Sequence, residues 1–107
     1  MALREITWTK QAESQIVSML DYYDDRNGSS TYSEKIIAEI YRQLGFVQKN
    51  PYYGESLPQV KDKNARRVVV ENIQVNFEVD DKTVCVFAAF DTRRDPKTLK
   101  KYLRRTD

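Results

Sequence analysis

Apolar positions recur at two different spacings along this chain, and the change of spacing separates a helical half from a strand half. In residues 10–26 and 31–50 they recur every three or four positions, the period of an amphipathic helix. From residue 65 onward they alternate with polar positions, as in a strand with one face toward solvent. A short alternation in residues 5–9 predicts a further strand before the first helix.

Residues that typically cap or terminate helices mark the expected ends of the two helices. Thr9 offers a hydroxyl to cap the first helix, and Gly28 tolerates the left-handed conformation that ends it. Thr31 and Glu34 have the spacing of a capping box, and Pro51 disfavours helix in the residue before it. The expected apolar faces are Ala12, Ile16, Met19, Leu20 and Tyr23, then Ile36, Ile37, Ile40, Tyr41, Leu44 and Val47. Two long helices joined by a short turn predict an antiparallel hairpin.

The second half reads as a three-stranded meander over residues 68–70, 73–79 and 84–90. In the middle strand Gln74 and Asn76 fall on the polar side of the alternation. We therefore expect this face of the strand to be exposed to solvent. The last strand is apolar throughout, as a central strand covered on both faces would be. Asp95 and Pro96 then suit the start of a short terminal helix. The predicted fold class is α+β: an N-terminal strand and a helical hairpin packed on a mainly antiparallel sheet.

Length and composition bound the protein to one small core. With 107 residues, 40% of them hydrophobic, we expect a single domain over residues 1–107. The sequence has no run of eighteen apolar residues, and Arg4 and Glu5 place charge near its start where a secretory signal would need an apolar block, so a cytoplasmic protein without a membrane span is expected. One cysteine, Cys85, excludes an internal disulfide.

Charge is distributed unevenly and points to an acidic partner for the second half. Residues 1–58 carry six basic and eight acidic side chains, whereas residues 59–107 carry twelve and eight. The last seventeen residues hold seven Lys and Arg against three Asp. A cationic cluster at the end of a core strand suits phosphate or acidic protein, although a solvated helix face explains it as well.

Several kinds of chemistry find no support in the sequence. The chain has no histidine, one cysteine and three widely separated glycines, so neither a zinc site nor a phosphate-binding glycine loop is predicted. We therefore expect no metal, no cofactor and no small-molecule substrate.

Taken together, the segments and their order resemble the RelE/ParE superfamily of bacterial toxins. The resemblance covers about residues 5–103 and rests on the segments 6–9, 20–23, 50–54, 65–70, 72–79 and 90–96. It implies the toxin of a type II toxin-antitoxin module, neutralised by a cognate antitoxin whose extended segment wraps the toxin along its sheet and helices.

The superfamily implies two alternative targets. RelE-like members are ribosome-dependent endonucleases of messenger RNA, and ParE-like members bind and block DNA gyrase. The ribonuclease pattern is matched by Arg66, Arg67 and Arg93, but Gln74 and Leu99 stand where an arginine and a tyrosine are expected. If the protein is an enzyme, which the sequence leaves open, its catalytic candidates are Arg66, Arg67, Arg93 and Tyr102.

The long helical hairpin and the two lost ribonuclease positions favour the ParE-like alternative. The residues expected to bind the target or the antitoxin are Arg66, Arg67, Arg93, Arg94, Lys97 and Lys101. We expect the two arginine pairs to lie beside each other at one end of the sheet. Tyr22 and Tyr32 are expected at the surface as further contact residues, because tyrosine offers a large area with a polar tip.

Overall fold

The computed structural model describes residues 3–57 and 64–93, and these form two helices and five strands. The elements in chain order are β1 Glu5–Trp8, α1 Lys10–Asn27, α2 Thr31–Lys49, β2 Glu55–Ser56, β3 Ala65–Val70, β4 Ile73–Val79 and β5 Thr83–Asp91. The α+β class, the helical hairpin and the meander are confirmed. The predicted terminal helix lies outside the described residues. Neither described helix is long and apolar enough to cross a membrane.

Local hydrogen bonds explain where the helices begin and end. Thr9 Oγ1 accepts from the Ala12 N–H at 3.1 Å, and Gly28, at φ 67°, ends α1 as predicted. The capping box predicted for α2 is wrong. Thr31 is the first residue of α2, and the preceding Ser30 makes no side-chain cap, although its carbonyl accepts from the Glu34 N–H at 2.9 Å. The helix therefore begins one residue earlier than the predicted capping box would place it, and Ser30 does not form such a box.

The five strands form one sheet in the order β1-β5-β4-β3-β2. β3, β4 and β5 pair antiparallel, whereas β1 lies parallel to β5, with Ile6 opposite Val84. The register between β4 and β5 shifts after Asn76, so that Phe87 is the extra residue of a bulge. Since β1 and β4 both pair with it, β5 is an interior strand that is paired on both sides along its first half.

The helices cover one face of this sheet and bury the main core. Its residues are Ala12, Ile16, Met19, Tyr23, Ile36, Ile40, Leu44, Val47, Val68, Val70, Ile73, Val75, Phe77, Val79, Val84, Val86 and Ala89. The predicted apolar faces supply most of the helical part. Tyr41 is an error in that prediction: 46% of it is exposed, and its hydroxyl accepts from Trp8 Nε1 at 3.1 Å at the surface.

The face of β4 that carries Gln74 and Asn76 is not exposed to solvent, so the prediction of a solvent-exposed face is wrong. Gln74 and Asn76 are only 5% and 0% exposed. Their neighbours across the strands are Phe90 and Ala88 of β5, which belong to a second apolar cluster of Leu57, Ala65, Phe87, Ala88 and Phe90. Although apolar side chains flank them, the two amides are joined by a hydrogen bond in which Gln74 Nε2 donates to Asn76 Oδ1 at 2.9 Å.

Candidate functional site

Arg66 and Arg67 lie on opposite faces of the sheet. Successive residues of a strand point to opposite sides, and the register places Arg66 beside Phe77 and Arg67 beside Asn76. Phe77 belongs to the core under the helices, whereas Asn76 belongs to the other face. The two side chains of this basic pair therefore serve different surfaces.

Arg66 is held by the segment that follows α2. Its Nη1 donates to the Gly54 carbonyl at 3.0 Å, and its guanidinium lies 5.6 Å from the ring centre of Tyr52. Tyr52 is 71% exposed, so the stacked pair is open to a partner. Arg66 Nε is buried without a hydrogen-bond partner. Gly54 is required here, because an added Cβ would lie 2.7 Å from the Arg67 carbonyl oxygen.

Arg67 is the outer end of a chain of polar side chains that runs into the second face. Its Nη2 donates to Glu55 Oε2 at 2.8 Å and its Nη1 to Gln74 Oε1 at 3.0 Å. Gln74 continues the chain to Asn76, whose Nδ2 is buried without a partner. Gln74, which stands where the ribonuclease pattern expects an arginine, is thus a buried amide that orients Arg67.

Arg93 is bound by Asp91 at the end of β5. Its Nε and Nη2 donate to Asp91 Oδ1 and Oδ2 at 3.1 and 2.9 Å, and its backbone N–H donates to Oδ1 at 2.9 Å. Tyr23 of α1 donates its hydroxyl to Asp91 Oδ2 at 3.0 Å. The Asp91 side chain is 11% exposed and that of Arg93 55%. A nearly buried carboxylate therefore fixes an arginine whose outer side stays in solvent.

These contacts keep Asp91 ionised. The hydrogen bonds from Arg93 lower the pKa of Asp91 to about 2, against the opposing effect of burial. Burial raises the pKa of Tyr23, and its hydrogen bond to the Asp91 carboxylate raises it further. The pKa of Arg93 is raised by the same ion pair. At neutral pH the cluster therefore holds one negative and one positive charge, and Tyr23 stays a donor.

The predicted meeting of Arg93 with Arg66 and Arg67 does not occur. Arg67 lies opposite Asn76, whereas Asp91 lies opposite Ile73, which pairs with Val70 at the far end of β3. The two sites are about 10 Å apart along the strands and two strands apart across the sheet. Arg94, Lys97, Lys101 and Tyr102 lie outside the described residues, so their positions stay predictions.

Two residues of this region were not singled out in the sequence as parts of a site. Asp91 follows the apolar run directly, and a carboxylate at the end of a buried strand needs a cationic or hydroxyl partner. Arg26 stands in the last turn of α1, seven residues after Met19, and the two share a pocket with Arg93. The helical period puts Arg26 on the side of Tyr22 and Tyr23, but only the packing of α1 on β5 brings it to Arg93.

Comparison with known proteins identifies the family. The sequence profile described as ParE toxin of type II toxin-antitoxin system, parDE, matches residues 6–96. The chain belongs to this ParE toxin family. It is thus the toxin of a type II toxin-antitoxin system, with an antitoxin as its partner. The superfamily resemblance is confirmed, and the ParE-like alternative is supported over the RelE-like one.

A solved structure has the same ParE fold. It is titled chromosomal ParDE TA system from P. aeruginosa, and it superposes with a TM-score of 0.64 at 18% sequence identity. The match covers 85% of this chain and 98% of that chain. At this identity the likeness shows the fold alone. No curated protein matches the sequence.

Proposed function

We propose that this ParE family toxin arrests bacterial growth by binding DNA gyrase, and that its antitoxin neutralises it by covering the same basic surfaces. Gyrase acts in the cytoplasm, so this proposal requires the location expected from the sequence. Arg66, Arg67 and Arg93 are proposed as contact residues for the target or the antitoxin. The same is proposed for Arg94, Lys97 and Lys101, which lie outside the described residues.

The separation of the three arginines is the observation that carries this proposal. Cleavage of RNA needs a base, an acid and cationic groups that converge on one phosphate. Arg66 and Arg67 point to opposite faces, and Arg93 is bound by Asp91 at the far end of the sheet. No single phosphate can contact all three in this arrangement. A large protein partner can contact them separately, because protein interfaces spread over a wide area.

The exposed rings support a protein partner as well. Tyr22 is 52% exposed and Tyr52 71%, and each lies beside an arginine. Tyrosine and arginine are enriched at protein interfaces and among the residues that carry binding energy. Tyr32 is half-buried, with its ring 5.4 Å from that of Tyr23, so it is the weaker of the two contact residues expected from the sequence.

A supercoiling assay tests the target. Purified toxin is added to gyrase, ATP and relaxed plasmid, and we expect supercoiling to stop once toxin is in excess over gyrase. Addition of the antitoxin before the toxin should restore supercoiling, which serves as the control for specific inhibition. In parallel, messenger 5′ ends are mapped in cells that express the toxin. Unimpaired supercoiling together with new codon-positioned ends would establish the RelE-like alternative and refute the proposal.

A further inference from the structure

A pocket of about 340 Å³ lies between the C-terminal end of α1 and the end of β5. It is lined by Met19, Tyr22, Tyr23, Arg26, Asp91 and Arg93. The Tyr22 ring packs edge-on against Tyr23 with 5.8 Å between ring centres. The pocket therefore combines an apolar and aromatic wall with two arginines.

Arg93 lines this pocket, and 55% of its side chain is exposed. The edge formed by Nε and Nη2 binds Asp91. Nη1 takes no part in these contacts with Asp91, although the Arg93 side chain also interacts with the Tyr23 side chain. A guanidinium has five N–H donors in a flat fork and binds a second carboxylate through the edge that joins its two Nη atoms. Because Asp91 already fixes the fork, little conformational entropy is lost when this edge is used.

Arg26 supplies the second cation of the pocket. It is exposed in the last turn of α1 and forms no ion pair with any described residue. An unpaired arginine beside a fixed one leaves the pocket with more positive than negative charge, since Asp91 neutralises only one of the two. The Asp91 carboxylate stays ionised at neutral pH because its pKa is about 2, so the three groups sum to one positive charge.

A net charge of one positive unit suits a single carboxylate better than a series of phosphates. A nucleic-acid backbone presents a charge at every residue and needs a track of cations, whereas here a buried carboxylate stands beside the two arginines. Met19 and the Tyr22 ring, in addition, offer contact to an apolar side chain next to the incoming acid. An acidic peptide segment with an apolar neighbour supplies both groups.

We infer that this pocket receives an Asp or Glu side chain of the antitoxin, held by Arg26 and by the edge of Arg93 that does not bind Asp91, with an apolar neighbour against Tyr22. The inference deepens the proposed antitoxin interaction and rests on it. Arg93 is the donor that Asp91 holds in place. Arg26, at the exposed edge of the pocket, adds to the affinity for the antitoxin.

The test measures the affinity of the toxin for the antitoxin encoded beside it, with that purified antitoxin as the probe. Arg26→Glu is expected to weaken binding by about tenfold or more, because it places a like charge against the incoming carboxylate. Lys49→Glu is the matched control: it makes the same charge change in the last turn of α2, away from the pocket. It is expected to change affinity by less than about twofold. Circular dichroism verifies that both variants are folded.

A second measurement identifies the acid on the antitoxin. Each Asp and Glu of the antitoxin is changed to Arg in turn and tested against the Arg26→Glu toxin, and one such change is expected to restore binding. Equal affinities for Arg26→Glu and wild-type toxin would overturn the inference. So would an unchanged antitoxin affinity combined with lost binding of a fluorescent single-stranded RNA 20-mer, which would assign the pocket to nucleic acid. Gyrase inhibition is measured in a separate assay. The antitoxin affinities can therefore be interpreted even if gyrase proves not to be the target.

Discussion

Replacement of Asp91 by asparagine tests the cluster that joins α1 to the end of β5. Asparagine has nearly the same shape and still accepts the hydrogen bond from Tyr23, but it carries no charge to hold Arg93. The native pKa of Asp91 is lowered from 3.8 to about 2, which corresponds to about 2.5 kcal/mol at 1.36 kcal/mol per pKa unit. Since 55% of the Arg93 side chain is exposed and therefore screened by water, we expect a loss of about 1–2 kcal/mol at pH 7.

The pH dependence follows from the direction of the pKa shift. The folded protein binds a proton on Asp91 less readily than the unfolded chain does, so the ionised carboxylate stabilises the fold at every pH above the unfolded value near 4. This contribution falls as the pH is lowered from about 4 through about 2. Roughly half of it should remain at pH 3 and little at pH 2. The free-energy difference between wild type and Asp91→Asn should shrink over the same window.

Urea denaturation at several pH values, followed by the fluorescence of Trp8, measures this difference. Trp8 is half-buried beside Tyr41, so its emission reports unfolding. Asp81→Asn is the matched control, because Asp81 is exposed beyond the end of β4 and its replacement should leave stability within about 0.5 kcal/mol. A wild-type minus Asp91→Asn difference that is the same at pH 7 and pH 3 would refute the assignment of this stability to the carboxylate charge.

Three further variants test other parts of the structure by the same denaturation assay. Gly54→Ala should cost more than about 2 kcal/mol, because Gly54 has φ 96° and the new Cβ would meet the Arg67 carbonyl oxygen at 2.7 Å; a stability equal to wild type would show that the loop can move. Ile40→Ala should cost about 2–5 kcal/mol, since Ile40 is fully buried in α2, and a loss below 1 kcal/mol would contradict that packing. Tyr23→Phe should cost about 1–2 kcal/mol by removing a hydrogen bond to an ionised group, and no loss would mean that Asp91 is satisfied without it.

The periodicity of the sequence predicted the helices and strands, because an element that is buried on one side has apolar residues at regular spacing along the chain. Ile36, Ile40, Leu44 and Val47 recur at helical spacing and are all buried. The turn at residues 71–72 and the helix end at Gly28 were likewise readable, since each depends on a few neighbouring residues. The same argument assigned Tyr41 to the core, yet it lies at the edge of the buried stripe, where its polar tip reaches Trp8.

The site was less predictable, because it depends on register and on what covers each face. Alternation showed that Gln74 and Asn76 share a side of β4, but it cannot show that Ala88 and Phe90 of β5 flank them there. Sequence proximity to strand ends suggested that Arg93 would join Arg66 and Arg67. The pairing of β3 with β4 and of β4 with β5 instead separates them along the sheet.

The sequence by itself determined the helical hairpin, the meander and the resemblance to ParE toxins, because these follow from local spacing and the order of segments. Only the tertiary structure decided which polar side chains meet: Arg67 with Glu55 and Gln74, and Asp91 with Arg93 and Tyr23. Tyr23 and Asp91 are 68 residues apart in the chain. Their contact depends on how α1 packs against β5, and no local pattern of residues encodes the position of one element against another.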